Sequence, residues 1–140
     1  MNTDPSKYLQ VIKNIHEELM ICELSDNIGL HGGTSGIALF LAYYNRIIHN
    51  TNDITPRVFD ILEHNIKQID SGKTLHTICN GVSGFGWLCL HLKELEMLSK
   101  DEIEFLDVLD HFLYKRMMVD THIQVTNATF LSCKCSKKYS

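Results

Sequence analysis

The feature that most constrains the fold of this chain is a glycine-rich turn that occurs twice, each time directly before an apolar segment. The first copy reads GLHGGTSGIALFLAYY from Gly29, and the second reads TICNGVSGFGWLCL from Thr77. Their shared G-x-S-G cores lie 48 residues apart. Glycine lets a chain turn sharply and lets a helix start close to its neighbours, so we predict two similar corners. The residues that define these corners are Gly32, Gly33, Ser35, Gly36, Gly81, Ser83, Gly84 and Gly86.

The segments around the two turns have helical periodicity. Residues 5–24 and 56–70 each carry one apolar stripe, which is typical of an amphipathic helix on the outside of a fold. Residues 35–49 and 85–98 are apolar nearly all round, which indicates helices covered by protein on most sides. We expect Thr34 or Ser35 to cap the first inner helix and Ser83 to cap the second. A capping-box pattern at residues 99–102 begins a fifth, amphipathic helix.

The order of amphipathic helix, glycine turn and buried helix occurs twice, with a period near 48 residues. This order predicts helical-hairpin repeats. Inner helices arranged around one axis would form an α/α toroid, whereas helices stacked in line would form a solenoid. We predict an all-α fold, a partial α/α toroid, in which residues 1–119 form two hairpins and a third outer helix. No glycine follows Gly86, and residues 120–140 are predicted to be a divergent tail.

The two turns and their flanks resemble the lanthionine synthetase C-like family over roughly residues 1–119. The first copy resembles that family's first glycine motif, and the segment TICNGVSGFGWL resembles its second. Bacterial members add a Cys thiolate to a dehydrated Ser or Thr of a peptide, and they use zinc in a toroid of seven hairpins. The resemblance therefore implies an α/α toroid and, for the parent protein, zinc-dependent thioether formation.

The resemblance transfers no catalytic residue, cofactor-binding residue or metal ligand to this chain. The family's zinc ligands, two Cys and one His, lie in later W-C-x-G and C-H-G motifs, which are absent here. The family's acidic residue precedes a third glycine motif, which is also absent, so its role is not assigned to Asp120. We therefore expect a truncated family member that has no cofactor of its own and is inactive alone. A frameshift or an early stop would produce such a tail.

Two local groups of metal-ligating residues are present nonetheless. His31 and Cys79 each lie two residues before the aligned glycine, and His76 lies near the second turn. Zinc binds imidazole and thiolate, but it needs three or four protein ligands. The alternative is that His31, His76 and Cys79 are ordinary polar residues of the loops. Cys133 and Cys135 are a second pair of thiols that could bind a soft metal. The alternative is that their lysine-rich segment is an unstructured terminus.

The glycine turns also resemble two other motifs. A nucleophile elbow would need a strand before Ser35 or Ser83 and a later Asp and His, whereas here a loop from a helix comes first. A phosphate loop would need a Gly-Lys-Ser/Thr sequence, which neither turn has. Helix capping therefore explains the two serines better.

The composition excludes several classes of partner. The net charge is −4, which does not favour nucleic acid or an anionic membrane. No apolar run reaches the length of a spanning helix, and the polar N-terminus lacks a signal peptide, so we expect a cytoplasmic protein with free thiols.

Three functions remain open from the sequence. The first is an inactive portion of a lanthionine synthetase C-like protein. The second is a non-enzymatic helical-repeat module that binds a peptide or protein on its inner face. The third is a fragment of another α/α toroid enzyme, a glycoside hydrolase or a prenyltransferase, although residues 35–49 and 83–92 of the inner helices offer no carboxylate for glycoside hydrolysis. The expected partners are a peptide substrate or a second copy bound through exposed apolar surface.

Overall fold

Four helices lie within residues 5–99 of the chain. The computed structural model describes residues 5–99, 111, 114 and 115. Helix α1 spans Pro5–Ile21, α2 Thr34–His49, α3 Pro56–Asp70 and α4 Val82–Glu94. These residues contain no strand, so the all-α prediction is confirmed, and the order is that of two helical hairpins. Residues 111, 114 and 115, which fall within the predicted fifth helix, are helical, and the tail at 120–140 lies outside the described residues. Residues 5–99 belong to one compact unit, and the other three belong to a second.

Helices α1 and α3 begin where the sequence predicts, whereas α2 and α4 begin one and three residues earlier than predicted. Thr55 is the N-cap of α3 and Pro56 is its first residue, because proline supplies a helical φ and lacks the N–H that would be unpaired there. Helices α2 and α4 begin directly after Gly33 and Gly81. Proline and glycine residues in the sequence therefore mark where α2, α3 and α4 start.

Two helices end earlier than predicted. Helix α1 stops at Ile21 rather than at residue 24. Directly after its last residue, the Arg57 guanidinium of α3 donates to the Cys22 carbonyl. Helix α4 stops at Glu94 rather than at residue 98. There Glu96 takes a left-handed conformation with φ +58°, and the Met97 N–H donates to the Leu92 carbonyl. This pattern is a Schellman motif, which closes a helix by bonding its last carbonyls.

The core lies between α2, α3 and α4. Helix α3 packs mainly on α2 and buries Val58, Ile61 and Leu62. Helix α4 buries Phe85 and Leu88 completely. Helix α1 buries none of its residues, although its apolar stripe is of the same kind as that of α3. The two hairpins therefore share a core to which the apolar stripe of α1 does not contribute.

The inner helices are less covered than the sequence predicts. In α4, Trp87 and Leu90 are 41% and 50% exposed, and in α2 Ile47 is 73% exposed. Each inner helix thus leaves one apolar edge open. No helix in the described part of the chain is long and apolar enough to cross a membrane.

Candidate functional site

The two glycine turns lie side by side, although 48 residues separate them in the sequence. The Leu30 N–H donates to the Ile78 carbonyl at 3.0 Å, and the His31 N–H donates to the Cys79 carbonyl at 3.2 Å. We call residues 27–33 and 75–81 together the paired turns. The sequence predicts each corner separately, whereas the structure joins them by backbone hydrogen bonds.

Side chains hold the same two segments together. The Asn27 side-chain amide donates to the Asn80 side-chain oxygen at 3.2 Å. The Asn27 side-chain oxygen in turn accepts the Gly29 N–H at 2.9 Å. Asn27 therefore stabilises its own turn and links it to the other one. Its position just before the glycine motif gives no sign of this role in the sequence.

The two serines of the motif bind the loop behind them. Ser35 donates its hydroxyl to the Ile28 carbonyl at 2.5 Å, and Ser83 donates to the His76 carbonyl, in each case seven residues back. The predicted capping role is therefore wrong: the N-cap positions are Gly33 and Gly81, and neither cap makes a side-chain hydrogen bond. Because Ser35 is also fully buried, its hydroxyl is placed for structure rather than for nucleophilic attack.

Most of the motif glycines are packed too tightly to carry a side chain. A Cβ atom on Gly33, Gly36, Gly81 or Gly84 would lie 2.0–2.5 Å from a backbone oxygen of its own loop. Gly32 and Gly86 differ, because a Cβ there meets nothing closer than 3.9 Å and nothing within 4 Å, respectively. Gly29 is a further tight position, since its Cβ would lie 2.0 Å from the Cys79 carbonyl oxygen of the other turn.

A buried asparagine of α3 holds the start of α2 in place. The Asn65 side chain is fully buried, and its oxygen accepts the Thr34 hydroxyl at 2.5 Å. Its amide donates to the Ser35 hydroxyl at 3.2 Å. Asn65 therefore anchors the first turn of α2 to α3. Sequence reasoning missed it, and the available signal was a polar residue in the middle of the apolar stripe of α3.

The predicted metal candidates are only partly brought together. The backbones of His31 and Cys79 are bonded to each other, and both residues are exposed. Among the described residues, however, no group of three His, Cys, Asp or Glu side chains is placed to hold a metal ion. Cys133 and Cys135 lie outside the described residues.

A cleft of about 440 Å³ lies beside the first glycine turn. Its wall comes from the end of α1, the turn itself and the first half of α2. Apolar and glycine residues dominate it, and Glu23, Ser25 and His31 add polar groups. The full lining is Leu19, Glu23, Ser25, Leu30, His31, Gly32, Gly33, Gly36, Ile37, Leu39 and Phe40.

An aromatic cluster joins the two inner helices. Tyr43 of α2 and His91 of α4, which are 48 residues apart and thus equivalent in the repeat, share a hydrogen bond of 2.8 Å between the hydroxyl and Nε2. Trp87 stacks on His91 with ring centroids 4.8 Å apart. The other imidazole nitrogen of His91 lies 4.0 Å from the Glu94 carboxylate. The sequence assigns His91 no role, whereas the structure makes it a polar link between the hairpins.

The described cysteines differ in their surroundings. Cys79 is exposed on the second turn, and Cys22 is half-buried. Cys89 lies in the core of α4, where burial raises the pKa of its thiol to about 12. Cys89 therefore stays protonated throughout the neutral range, as a small, fully buried core residue.

We expect iodoacetamide near pH 8 to modify Cys79 at least about a hundredfold faster than Cys89 in the folded chain, because the thiolate is the nucleophile. Quenched time points, digested and analysed by mass spectrometry, give each rate separately. In guanidinium chloride the two rates should become similar. Equal rates in the folded chain would show that Cys89 is not held in the core.

A comparison with known families finds a match over nearly all of the sequence. The family described as "Lanthionine synthetase C-like protein" matches residues 2–136, nearly the whole chain. The match thus extends beyond residue 119, into the segment predicted to be divergent. No curated protein and no solved structure matches the chain significantly.

Proposed function

Since this chain belongs to the lanthionine synthetase C-like family, we propose that it forms the first two hairpins of an α/α toroid wall and that these hairpins hold a peptide. The parent activity is thioether ring formation, in which a Cys thiol adds to a dehydrated Ser or Thr of that peptide. In this proposal the hairpins bind and orient the peptide, and they do not themselves perform the addition.

The observation that carries this proposal is the pairing of the two glycine turns. Backbone hydrogen bonds from Leu30 to Ile78 and from His31 to Cys79 hold the two turns side by side. Both inner helices begin directly after these turns. A wall built from repeated hairpins needs such a contact at every corner, because a single hairpin cannot bury its inner face alone.

The donor set of residues 5–99 does not fit the zinc ion that the family implies. Zinc in a catalytic site takes three protein ligands and keeps one position open. His31 and Cys79 supply two donors, and the described residues offer no third one placed beside them. We therefore assign the described residues no part in activating the thiol.

The cleft beside the first turn favours peptide binding as the activity of these hairpins. It combines an apolar wall, which includes Leu39 and Phe40, with a carboxylate at Glu23 and an imidazole at His31. The same cleft supports the second candidate function, a helical-repeat module that binds a peptide without chemistry. The two functions differ in whether the bound peptide contains a dehydrated residue.

The test uses the full chain and a linear peptide with one Cys and one dehydroalanine. Ring formation removes the free thiol, so subsequent alkylation marks only the uncyclised peptide and mass spectrometry gives the fraction converted. We expect conversion at the protein-free rate, with or without added Zn²⁺, and measurable binding by fluorescence anisotropy. Conversion above the protein-free rate would overturn the division of roles proposed here.

A pair of glycine variants locates the binding surface. Gly32→Phe adds a large side chain to the cleft at a position with open space around its Cβ, so the fold should persist while peptide affinity falls roughly tenfold. Gly86→Phe adds the same side chain at an open position that does not line the cleft, and it should leave the affinity unchanged. Equal loss in both variants, or in neither, would exclude the cleft as the peptide site.

A further inference from the structure

The apolar stripe of α1 is built like a buried face but is exposed. Tyr8, Val11, Ile12 and Ile15 keep 39–58% of their surface in solvent. Fifty residues later the same spacing recurs in α3 as Val58, Ile61, Leu62 and Asn65, of which at most 7% is exposed. Helix α2 covers the α3 stripe, whereas α1 buries no residue at all. By this comparison the α1 stripe has the form of a surface that another helix covers.

The charges beside the stripe indicate which helix fits. Lys7 neighbours Val11 and Glu18 neighbours Ile15 through the i, i+4 and i, i+3 spacings of a helix. Because Lys7 and Glu18 are eleven residues apart, close to three full turns, they lie on the same edge of the stripe. They stand near opposite ends of α1, about 16 Å apart along its axis.

We infer that α1 pairs with α1 of a second copy, antiparallel and around a two-fold axis, to form a dimer. In this arrangement the same edge of each helix faces the other, so Lys7 of each copy lies beside Glu18 of its partner at both ends. A parallel two-fold pair would instead bring opposite edges of the two helices together, so Lys7 and Glu18 would not face each other. A two-fold pair also closes on itself, so it stops at two copies. This dimer does not depend on the proposed peptide function.

The first test is sedimentation velocity of the full chain over a wide concentration range, which should show a monomer–dimer equilibrium. Ile12→Glu places a charge in the centre of the stripe and should abolish the dimer. Because Ile12 is exposed in the monomer, this variant should keep its circular dichroism spectrum. Gln10→Glu adds the same group on the polar face of α1 and should still dimerise. A wild-type chain that stays monomeric at every concentration would overturn the proposal.

Charge exchange tests the antiparallel orientation. Glu18→Lys should raise the dimer Kd roughly tenfold, because two attractive contacts become repulsive. Glu17→Lys is the matched control, since the adjacent Glu17 lies on the polar face and its replacement should change Kd by less than about twofold. The double variant Lys7→Glu with Glu18→Lys should restore the wild-type Kd. Failure of that restoration, or equal effects of Glu17→Lys and Glu18→Lys, would exclude this pairing.

A crosslink gives an independent readout. A zero-length carbodiimide crosslink between Lys7 and Glu18 cannot form within one helix, because the two residues are too far apart along it. Mixed unlabelled and ¹⁵N-labelled chains should therefore give this crosslink between copies. Its absence in a sample that sediments as a dimer would place the interface elsewhere.

Discussion

Replacing Gly29 with alanine is expected to destabilise the fold by about 3 kcal/mol or more. The new Cβ atom would lie 2.0 Å from the Cys79 carbonyl oxygen and 2.3 Å from the backbone of Asn80. Backbone atoms cannot rotate away as the end of a side chain can, so the paired turns must separate. That movement would also break the bonds from Leu30 to Ile78 and from His31 to Cys79.

Urea unfolding of the full chain, followed by circular dichroism, measures this loss. Gly86→Ala is the matched control, because it makes the same chemical change within α4 where a Cβ meets nothing within 4 Å. Alanine in a helix is favoured over glycine, so this control should be more stable by about 0.5–1 kcal/mol. If Gly29→Ala were as stable as the wild type, the close approach of the two turns would not exist.

Replacing Asn65 with leucine is expected to cost about 2–4 kcal/mol of unfolding free energy. Leucine has the same number and branching of side-chain heavy atoms but forms no hydrogen bond, so the variant loses the bonds to the Thr34 and Ser35 hydroxyls, which are fully buried. Asn52→Leu makes the same substitution at an exposed position and should change stability by less than about 0.5 kcal/mol. Similar unfolding curves for the two variants would show that Asn65 does not anchor α2 to α3.

A second substitution at the same site adds a dependence on pH. In Asn65→Asp, burial should raise the pKa of the new carboxyl group in the folded state above its unfolded value of about 3.9. The folded state then holds the proton more strongly than the unfolded state does. The variant should therefore be least stable near neutral pH and regain stability, relative to the wild type, as the pH falls through the raised pKa.

The helices follow from local signals in the sequence, whereas their ends depend on distant residues. Pro56 and the glycines before α2 and α4 identify the helix starts, because capping and turn geometry are local. Helix α1 instead ends where Arg57, 35 residues away, binds the Cys22 carbonyl. Periodicity within α1 carries no information about that contact, so the predicted end was three residues too late.

The paired turns were predictable as a repeat but not as one structure. The shared G-x-S-G pattern identifies Ser35 and Ser83 as equivalent, and the structure gives them equivalent hydrogen bonds. What each serine binds depends on the path of the loop seven residues earlier, which no helix-capping rule describes. The role of Asn65 likewise requires knowledge that α3 packs on the start of α2.

The hydrogen bonds between the two turns also determine the order in which this protein can fold as it is synthesised. Gly29 reaches its final packing only against Cys79 and Asn80, about fifty residues later in the chain. The first hairpin therefore leaves the ribosome with its corner incomplete, and it must wait for the second glycine segment before that corner can close. Helical repeats commonly gain stability from each neighbour in turn. Here the corner of the first repeat can close only against the second repeat.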